Sequence, residues 1–161
     1  MPNDPAGSEA GLVPTEEAVG ATYERDFYTW TFEQAQLVRE GRWERVDREN
    51  VAEEIESLGR EQFANLRSAI RVLLLHMLKW DHQPERRGRS WMLSIKAQRI
   101  EVDHVLRGNP GLRPRIPEAI ASAYDQARIE AALETGLDED AFPEQCPYSW
   151  NDVVAREFAW P

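Results

Sequence analysis

Five cationic side chains lie close together between residues 79 and 91, with a tryptophan near each end of the group. The cations are Lys79, His82, Arg86, Arg87 and Arg89, and the tryptophans are Trp80 and Trp91. Guanidinium groups bind phosphate and carboxylate through paired hydrogen bonds, and an indole ring can stack on a base. The group also precedes a predicted helix, whose N-terminus favours anions. It is therefore a candidate anion-binding site, and in an enzyme it would suit a phosphorylated or nucleic-acid substrate.

The same cations also have a purely structural interpretation. Residues 60–99 carry 9 Lys and Arg against 3 Asp and Glu, whereas residues 1–59 carry 5 against 14 and residues 118–161 carry 2 against 10. Acidic partners for the arginines are thus present on both sides, and most charge clusters are paired or solvated. We favour this interpretation, in which the arginines pair with the acidic flanks and the tryptophans close one end of a helical bundle.

A second candidate group follows one face of the longest predicted helix. Its polar members are Asp47, Glu54, Gln62, Asn65 and His76, in phase with an apolar stripe. A carboxylate and a histidine on such a face could form a metal or acid–base site. Glu54 and His76 would, however, lie about 33 Å apart on a straight helix. We therefore predict that His76 is a hydrogen-bonded core histidine and that the group holds no metal.

No catalytic motif is recognisable in the chain. It has no glycine-rich phosphate loop, HExxH pair, CxxC pair or nucleophile elbow. Ser149 and Cys146 have turn-forming neighbours and no spacing typical of a nucleophile. The residues thus indicate no cofactor, and they leave open whether the protein is an enzyme.

Charge and cysteine content restrict the class of protein. The 161-residue chain is acidic, with a formal net charge of -10, which argues against general binding to nucleic acid or to an anionic membrane. Cys146 is the single cysteine, no signal peptide is recognisable, and no apolar run is long enough to span a membrane. These features predict a cytoplasmic protein.

The pattern of apolar residues predicts an all-α protein, a helical bundle formed by residues 21–161 after a disordered tail at residues 1–20. One apolar stripe keeps its phase from about Asp47 to Trp80, so we expect one long central helix, kinked or continuous at Gly59. Two helices broken at Gly59 are the alternative.

Local signals place the remaining helices. Thr31 with Gln34 predicts the start of a short helix that ends at Gly41, and Ser90 predicts the start of a helix that runs to Gly108. A further long helix begins near Pro114 or Pro117 and ends at Thr135, with an inward face of small residues. Ser149 with Asp152 predicts a capping box that opens a short last helix to Phe158.

Several separated motifs together resemble a known bacterial family. In chain order they are Tyr23-Glu24 to Tyr28-x-Trp30, Glu53-Glu54-Ile55-Glu56-x-Leu58-Gly59, Leu74-Leu75-His76-Met77-Leu78-Lys79-Trp80, Gln83-Pro84-Glu85-Arg86-Arg87, Ser90-Trp91, Leu112-Arg113-Pro114, Glu134-Thr135-Gly136-Leu137 and Phe142-Pro143-Glu144-Gln145-Cys146-Pro147-Tyr148. The chain is similar over about residues 23–161 to the domain-of-unknown-function family number twenty-nine. That resemblance implies an all-helical fold and supplies no activity, cofactor or catalytic residue.

Two functional hypotheses follow. The first is a non-enzymatic helical protein that acts by self-association or by binding another, unidentified protein. The long stripe extends beyond what the shorter helices can cover, so we expect a homodimer in which the region from Val51 to Phe63 packs against its own copy or against the partner's C-terminal segment. The second hypothesis is an anion-binding protein that uses the loop at residues 79–91.

Overall fold

The computed structural model of the chain describes residues 22–159, and their regular structure is entirely helical. The α-helices are α1 (Phe27–Arg39), α2 (Arg48–His82), α3 (Arg89–Gly108), α4 (Ile116–Thr135) and α5 (Trp150–Ala155). Short 3₁₀ turns lie at Trp43–Arg45, Pro84–Arg86, Pro110–Arg115 and Glu139–Ala141. The predicted all-α class is confirmed. The tail predicted at residues 1–20 lies outside the described residues.

The chain divides into two compact units after Glu54. In the first unit, Trp30 of α1 is buried, and the rings of Tyr23 and Phe27 pack on it at centroid distances of 4.9 and 5.9 Å. The buried Gln34 side chain accepts a hydrogen bond from the backbone N of Asp47 at 2.8 Å. This bond fixes the start of α2 against α1, because Asp47 immediately precedes α2.

Helix α1 begins earlier than the sequence pattern predicts. Asp26 is its N-cap, and its carboxylate accepts a hydrogen bond from the backbone N of Thr29 at 3.0 Å. The predicted capping box at Thr31 is wrong, since Thr31 lies inside the helix and its hydroxyl donates to the Tyr28 carbonyl. The end is as expected: Gly41 follows the helix with a φ of 69°, a left-handed conformation that glycine adopts without strain.

Helix α2 is continuous through Gly59 over its 35 residues, which confirms the prediction of one long helix. Its second half, from Leu66 onward, is buried on several sides. Its first half is not, because Ile55 and Leu58 lie in the same apolar stripe but are 64% and 62% exposed. The apolar stripe is therefore part of the hydrophobic core from Leu66 onward, whereas around Gly59 it lies on the surface.

The second unit is a bundle built around the buried half of α2. Helix α3 contributes Ile95, Val102, Val105 and Leu106 to its core. Helix α4 contributes alanines at positions 119, 123, 127 and 131, each at most 1% exposed, as predicted for its inward face. Small side chains allow a neighbouring helix to approach closely. Gly136, with a φ of 72°, ends α4 in the left-handed conformation.

The C-terminal segment completes this core with Phe142, Tyr148 and Val153. Tyr124 of α4 donates a hydrogen bond to the Pro143 carbonyl at 2.6 Å, which fixes the segment against the bundle. The predicted capping box is present, with the Asp152 backbone N 3.2 Å from Ser149 Oγ and the Ser149 N 2.8 Å from Asp152 Oδ2. Helix α5 ends at Ala155, before the predicted Phe158.

Helix α3 starts without the predicted serine cap. Gly88 is the N-cap residue, and Ser90 already lies inside the helix. No side chain among the described residues caps the first turn. Among the described residues, no helix combines the length and the apolar character that crossing a membrane requires.

Candidate functional site

Lys79 is buried in α2 and does not belong to a loop. Its ammonium lies 2.5 Å from Glu134 Oε2 of α4 and 4.8 Å from the centre of the Trp91 ring. The Lys79 side chain is 9% exposed and that of Glu134 is 49% exposed. The lysine therefore has a carboxylate partner within the bundle, from the acidic C-terminal region.

His82 and Arg87 close the C-terminal end of α2. His82 is the last residue of the helix, its Nδ1 lies 2.9 Å from the Leu78 carbonyl, and its ring packs on Phe142 at 4.7 Å. Arg87 donates from Nε to the Trp80 carbonyl at 2.8 Å, with its guanidinium 5.4 Å from the Trp80 ring centre. The Trp80 carbonyl, which has no helical partner because residue 84 is a proline without an N–H, is thereby satisfied.

Arg86 and Arg89 are exposed, and neither forms an ion pair within the described part of the chain. Three of the five predicted anion ligands thus contact the protein itself. The expectation that the loop arginines pair with acidic flanks is not met by Arg86, Arg87 or Arg89 among these residues. The pairs between the basic middle and the acidic C-terminal region come from inside the helices, at Arg71–Glu130 and Lys79–Glu134.

The predicted line of polar residues on α2 is not a shared buried site. Asn65 is exposed, and the other four members are only half-buried. Their partners differ: Asp47 accepts from Asn50 Nδ2 at 2.8 Å, Glu54 accepts from the Tyr23 hydroxyl at 2.5 Å, and Gln62 accepts from Asn109 Nδ2 at 3.3 Å. These contacts are separate from one another because the helix spaces the residues along its axis. Within residues 22–159, no three His, Cys, Asp or Glu side chains are grouped so that they could hold a metal ion.

His76 is half-buried and hydrogen-bonded to its own helix. Its Nδ1 lies 2.8 Å from the Val72 carbonyl. Burial lowers the pKa of His76, and the nearby charge of Lys79 lowers it further. The imidazole is thus held neutral near pH 7, with Nδ1 donating to the carbonyl.

This neutral histidine predicts a loss of stability in mild acid. Because its pKa is lower in the folded state, the unfolded chain takes up a proton first as the pH falls below about 6.5. The free energy of unfolding should therefore decrease between pH 7 and pH 5. In His76→Gln, which retains a donor for the Val72 carbonyl, that decrease should be smaller. Urea unfolding at a series of pH values measures the free energy of unfolding of each variant. The control is His104→Gln, at an exposed histidine. Parallel pH profiles for the wild type and His76→Gln would contradict the prediction.

A polar cluster that the sequence did not reveal joins the end of α2 to the C-terminal segment. Asp81 accepts two hydrogen bonds from Arg156, at 2.8 and 2.6 Å, and one from the Tyr148 hydroxyl at 2.9 Å. Burial raises the pKa of Asp81, but Arg156 and Tyr148 more than offset this and hold the pKa below its usual value. The pKa of Tyr148 is raised by burial and by the Asp81 charge, so the phenol remains a donor.

Comparison with family models decides the family. Residues 22–159 match the model described as Domain of unknown function DUF29. The chain belongs to the DUF29 family. No curated protein and no solved structure matches it.

The nucleophile candidates of this DUF29 chain have structural roles. The Cys146 thiol is half-buried, 3.7 Å from the Tyr148 carbonyl, and burial raises its pKa, which disfavours the reactive thiolate. Ser149 caps α5 through Asp152. Within the described part of the chain, neither side chain forms a hydrogen bond with a histidine. The geometry therefore supports contacts and packing at these residues and gives no activated nucleophile.

Proposed function

We propose that this DUF29 chain is a non-enzymatic cytoplasmic protein that acts by association, as a homodimer formed through the exposed face of α2 around Leu58. The observation that supports this is the exposure of Ile55 and Leu58, at 64% and 62%, on a continuous apolar stripe. Contiguous exposed apolar side chains typically mark an interaction site. The cytoplasmic assignment rests on Cys146, the single cysteine, which has no internal disulfide partner.

A second copy of the same chain suits this face, because a two-fold axis near Leu58 would pack the apolar stripe against itself, and two-fold pairing requires such a self-complementary surface. The Glu56–Arg60 pair, at 3.5 Å within the helix, lies two residues on either side of Leu58 and hence on the opposite side of α2. It therefore does not interrupt the apolar face.

Gly59 adds a reason for close helix pairing at this point. It lies on the same exposed face, and among residues 22–159 no atom beyond the adjoining residues and the local helix backbone lies within 4 Å of where its Cβ would be. Packing within the chain therefore does not require a glycine here, although glycine costs a helix about 1 kcal/mol relative to alanine. Its absent side chain would allow the backbones of two α2 helices to approach.

Sedimentation equilibrium at micromolar concentration tests the dimer. The wild type should sediment at twice the 18.6 kDa chain mass, and Leu58→Arg should sediment as a monomer with unchanged helicity. Leu133→Arg is the matched control, since Leu133 is a 79% exposed leucine on α4. A wild type of 18.6 kDa, or loss of the dimer in both variants alike, would contradict the proposal.

Gly59→Ala separates the monomer's stability from its association. The substitution should raise the free energy of unfolding of the monomeric Leu58→Arg background by about 1 kcal/mol, because alanine favours the helix and meets no clash. In the wild-type background it should weaken the dimer, because the added methyl lies between the helices. Urea unfolding and sedimentation measure the two effects; a more stable chain with unchanged dimer affinity would place the interface elsewhere.

The anion-binding hypothesis for the loop at residues 79–91 now depends on Arg86 and Arg89, which are exposed. A phosphate titration of the Arg86→Gln/Arg89→Gln double variant against the wild type tests it. Equal binding by both proteins would rule the loop out.

A further inference from the structure

An open cavity of about 300 Å³ lies in the second unit between α3 and the segment that follows α5. One side is apolar, formed by Met92, Ile95 and the ring of Phe158. The other side carries the cationic groups of Lys96 and Arg99. Its volume is at the lower end of the range found for small-molecule sites.

Arg99 has no carboxylate partner within the described residues. Its Nε donates to the Val153 carbonyl at 2.8 Å and its Nη2 to the Asp152 carbonyl at 3.0 Å, both neutral acceptors. Burial lowers the pKa of Arg99, and the nearby charge of Arg156 lowers it further. The guanidinium is thus half-buried next to another cation, an arrangement that an added anion would stabilise.

The two arginines lie against the same aromatic ring. The guanidinium carbon of Arg99 is 5.4 Å and that of Arg156 is 5.0 Å from the centre of Phe158. Arg156 is neutralised by Asp81, at 2.6 Å, whereas Arg99 has no such partner within the described residues.

Two further charged side chains line the cavity. Lys96 lies one turn before Arg99 on α3, and Glu157 adds one carboxylate to the cavity wall. The surplus is therefore about one positive charge, in a chain whose net charge is -10.

We propose that this cavity binds a small organic carboxylate, with the carboxylate at Lys96 and Arg99 and the apolar part against Met92, Ile95 and Phe158. A single surplus charge beside an apolar wall suits a monoanion with a hydrophobic body better than a phosphate dianion. No residue of the cation group at residues 79–91 lines this cavity, and the proposal goes beyond the proposed association through α2.

Methionine-methyl NMR tests this with benzoate as the probe. Met92 lines the cavity, and Met77 is fully buried in the core, so the two methyl resonances report the site and an internal control. Met92→Leu assigns the first resonance. Benzoate should shift Met92 and leave Met77 unchanged, and it should bind about tenfold more tightly than neutral benzamide.

Three variants locate the charge that binds. Arg99→Lys should weaken benzoate binding by about tenfold, since lysine loses the guanidinium geometry, and the exposed Lys96→Gln by about threefold. Arg89→Gln should bind as the wild type does. The proposal is overturned if benzamide binds as well as benzoate, if inorganic phosphate binds more tightly than benzoate, or if Lys96→Gln and Arg99→Lys both bind benzoate normally. Because Lys96 is exposed, its variant remains informative even where Arg99→Lys fails to fold.

Discussion

Glu134→Ala should lower the free energy of unfolding by about 3 kcal/mol, because it leaves the Lys79 ammonium buried without its counter-charge. The Lys79 side chain is 9% exposed, so water replaces the lost carboxylate poorly. Lys79→Met should cost much less, since it removes the buried charge together with the need for a partner and leaves a half-exposed carboxylate. Methionine also retains apolar contact with the Trp91 ring.

Urea unfolding followed by tryptophan fluorescence measures this asymmetry between the two partners. Asp125→Ala is the matched control, an exposed carboxylate on the same helix without an ion pair among the described residues. It should change stability by no more than about 0.5 kcal/mol. Equal losses for Glu134→Ala and Lys79→Met would show that the pair itself stabilises the fold and that the desolvated ammonium is not the cause.

The sequence predicted α2 well because helical periodicity is a local signal. The stripe from Val51 to Trp80 keeps one phase through Gly59, and the helix is continuous there. The inward alanines of α4 and the capping box at Ser149 were also correct, since each depends on residues a few positions apart. The predicted N-caps at Thr31 and Ser90 are wrong, because both helices begin at an earlier residue. Asp26 caps α1, and α3 starts after Gly88, whose position has no side-chain cap among the described residues.

Contacts between distant residues could not be read from the sequence. Asp81 meets Tyr148 and Arg156 across 67 and 75 residues, and Arg99 reaches the α5 carbonyls across 54. The cation cluster was recognisable by composition, but composition does not show which cations lie inside a helix. From the sequence, Lys79 is expected to bind an anion in a loop, but it is a buried residue of α2 paired with Glu134. Arg99 is not recognisable as a candidate from the sequence, but it lines a cavity.

Charge segregation along the chain has a partial structural explanation. The basic middle and the acidic C-terminal region meet through Arg71–Glu130 and Lys79–Glu134, which join α2 to α4. The Asp81–Arg156 pair joins the same regions with the signs reversed. An average excess of one sign therefore predicts that two regions attract, while the individual pairs depend on local geometry.

Asp81→Asn should lower the free energy of unfolding at pH 7 by about 2 kcal/mol, because it removes the charge that accepts three hydrogen bonds from Arg156 and Tyr148. This loss of stability is smaller than for a fully buried ion pair, because the Asp81 side chain is 25% exposed and that of Arg156 is 33% exposed. Tyr148→Phe is the matched control: it removes only the phenol bond and should cost about 1 kcal/mol.

The pH dependence identifies the charge as the cause. The pKa of Asp81 is lowered in the folded state, so its contribution is present above the ordinary aspartate value and is lost as the pH falls through the folded value. The stability difference between the wild type and Asp81→Asn should therefore be constant from pH 7 to about pH 5 and shrink below about pH 4. Urea unfolding at each pH measures this difference. A difference that persists unchanged at pH 3 would mean that the amide disturbs packing, and that the ionised carboxylate does not hold the C-terminal segment against α2.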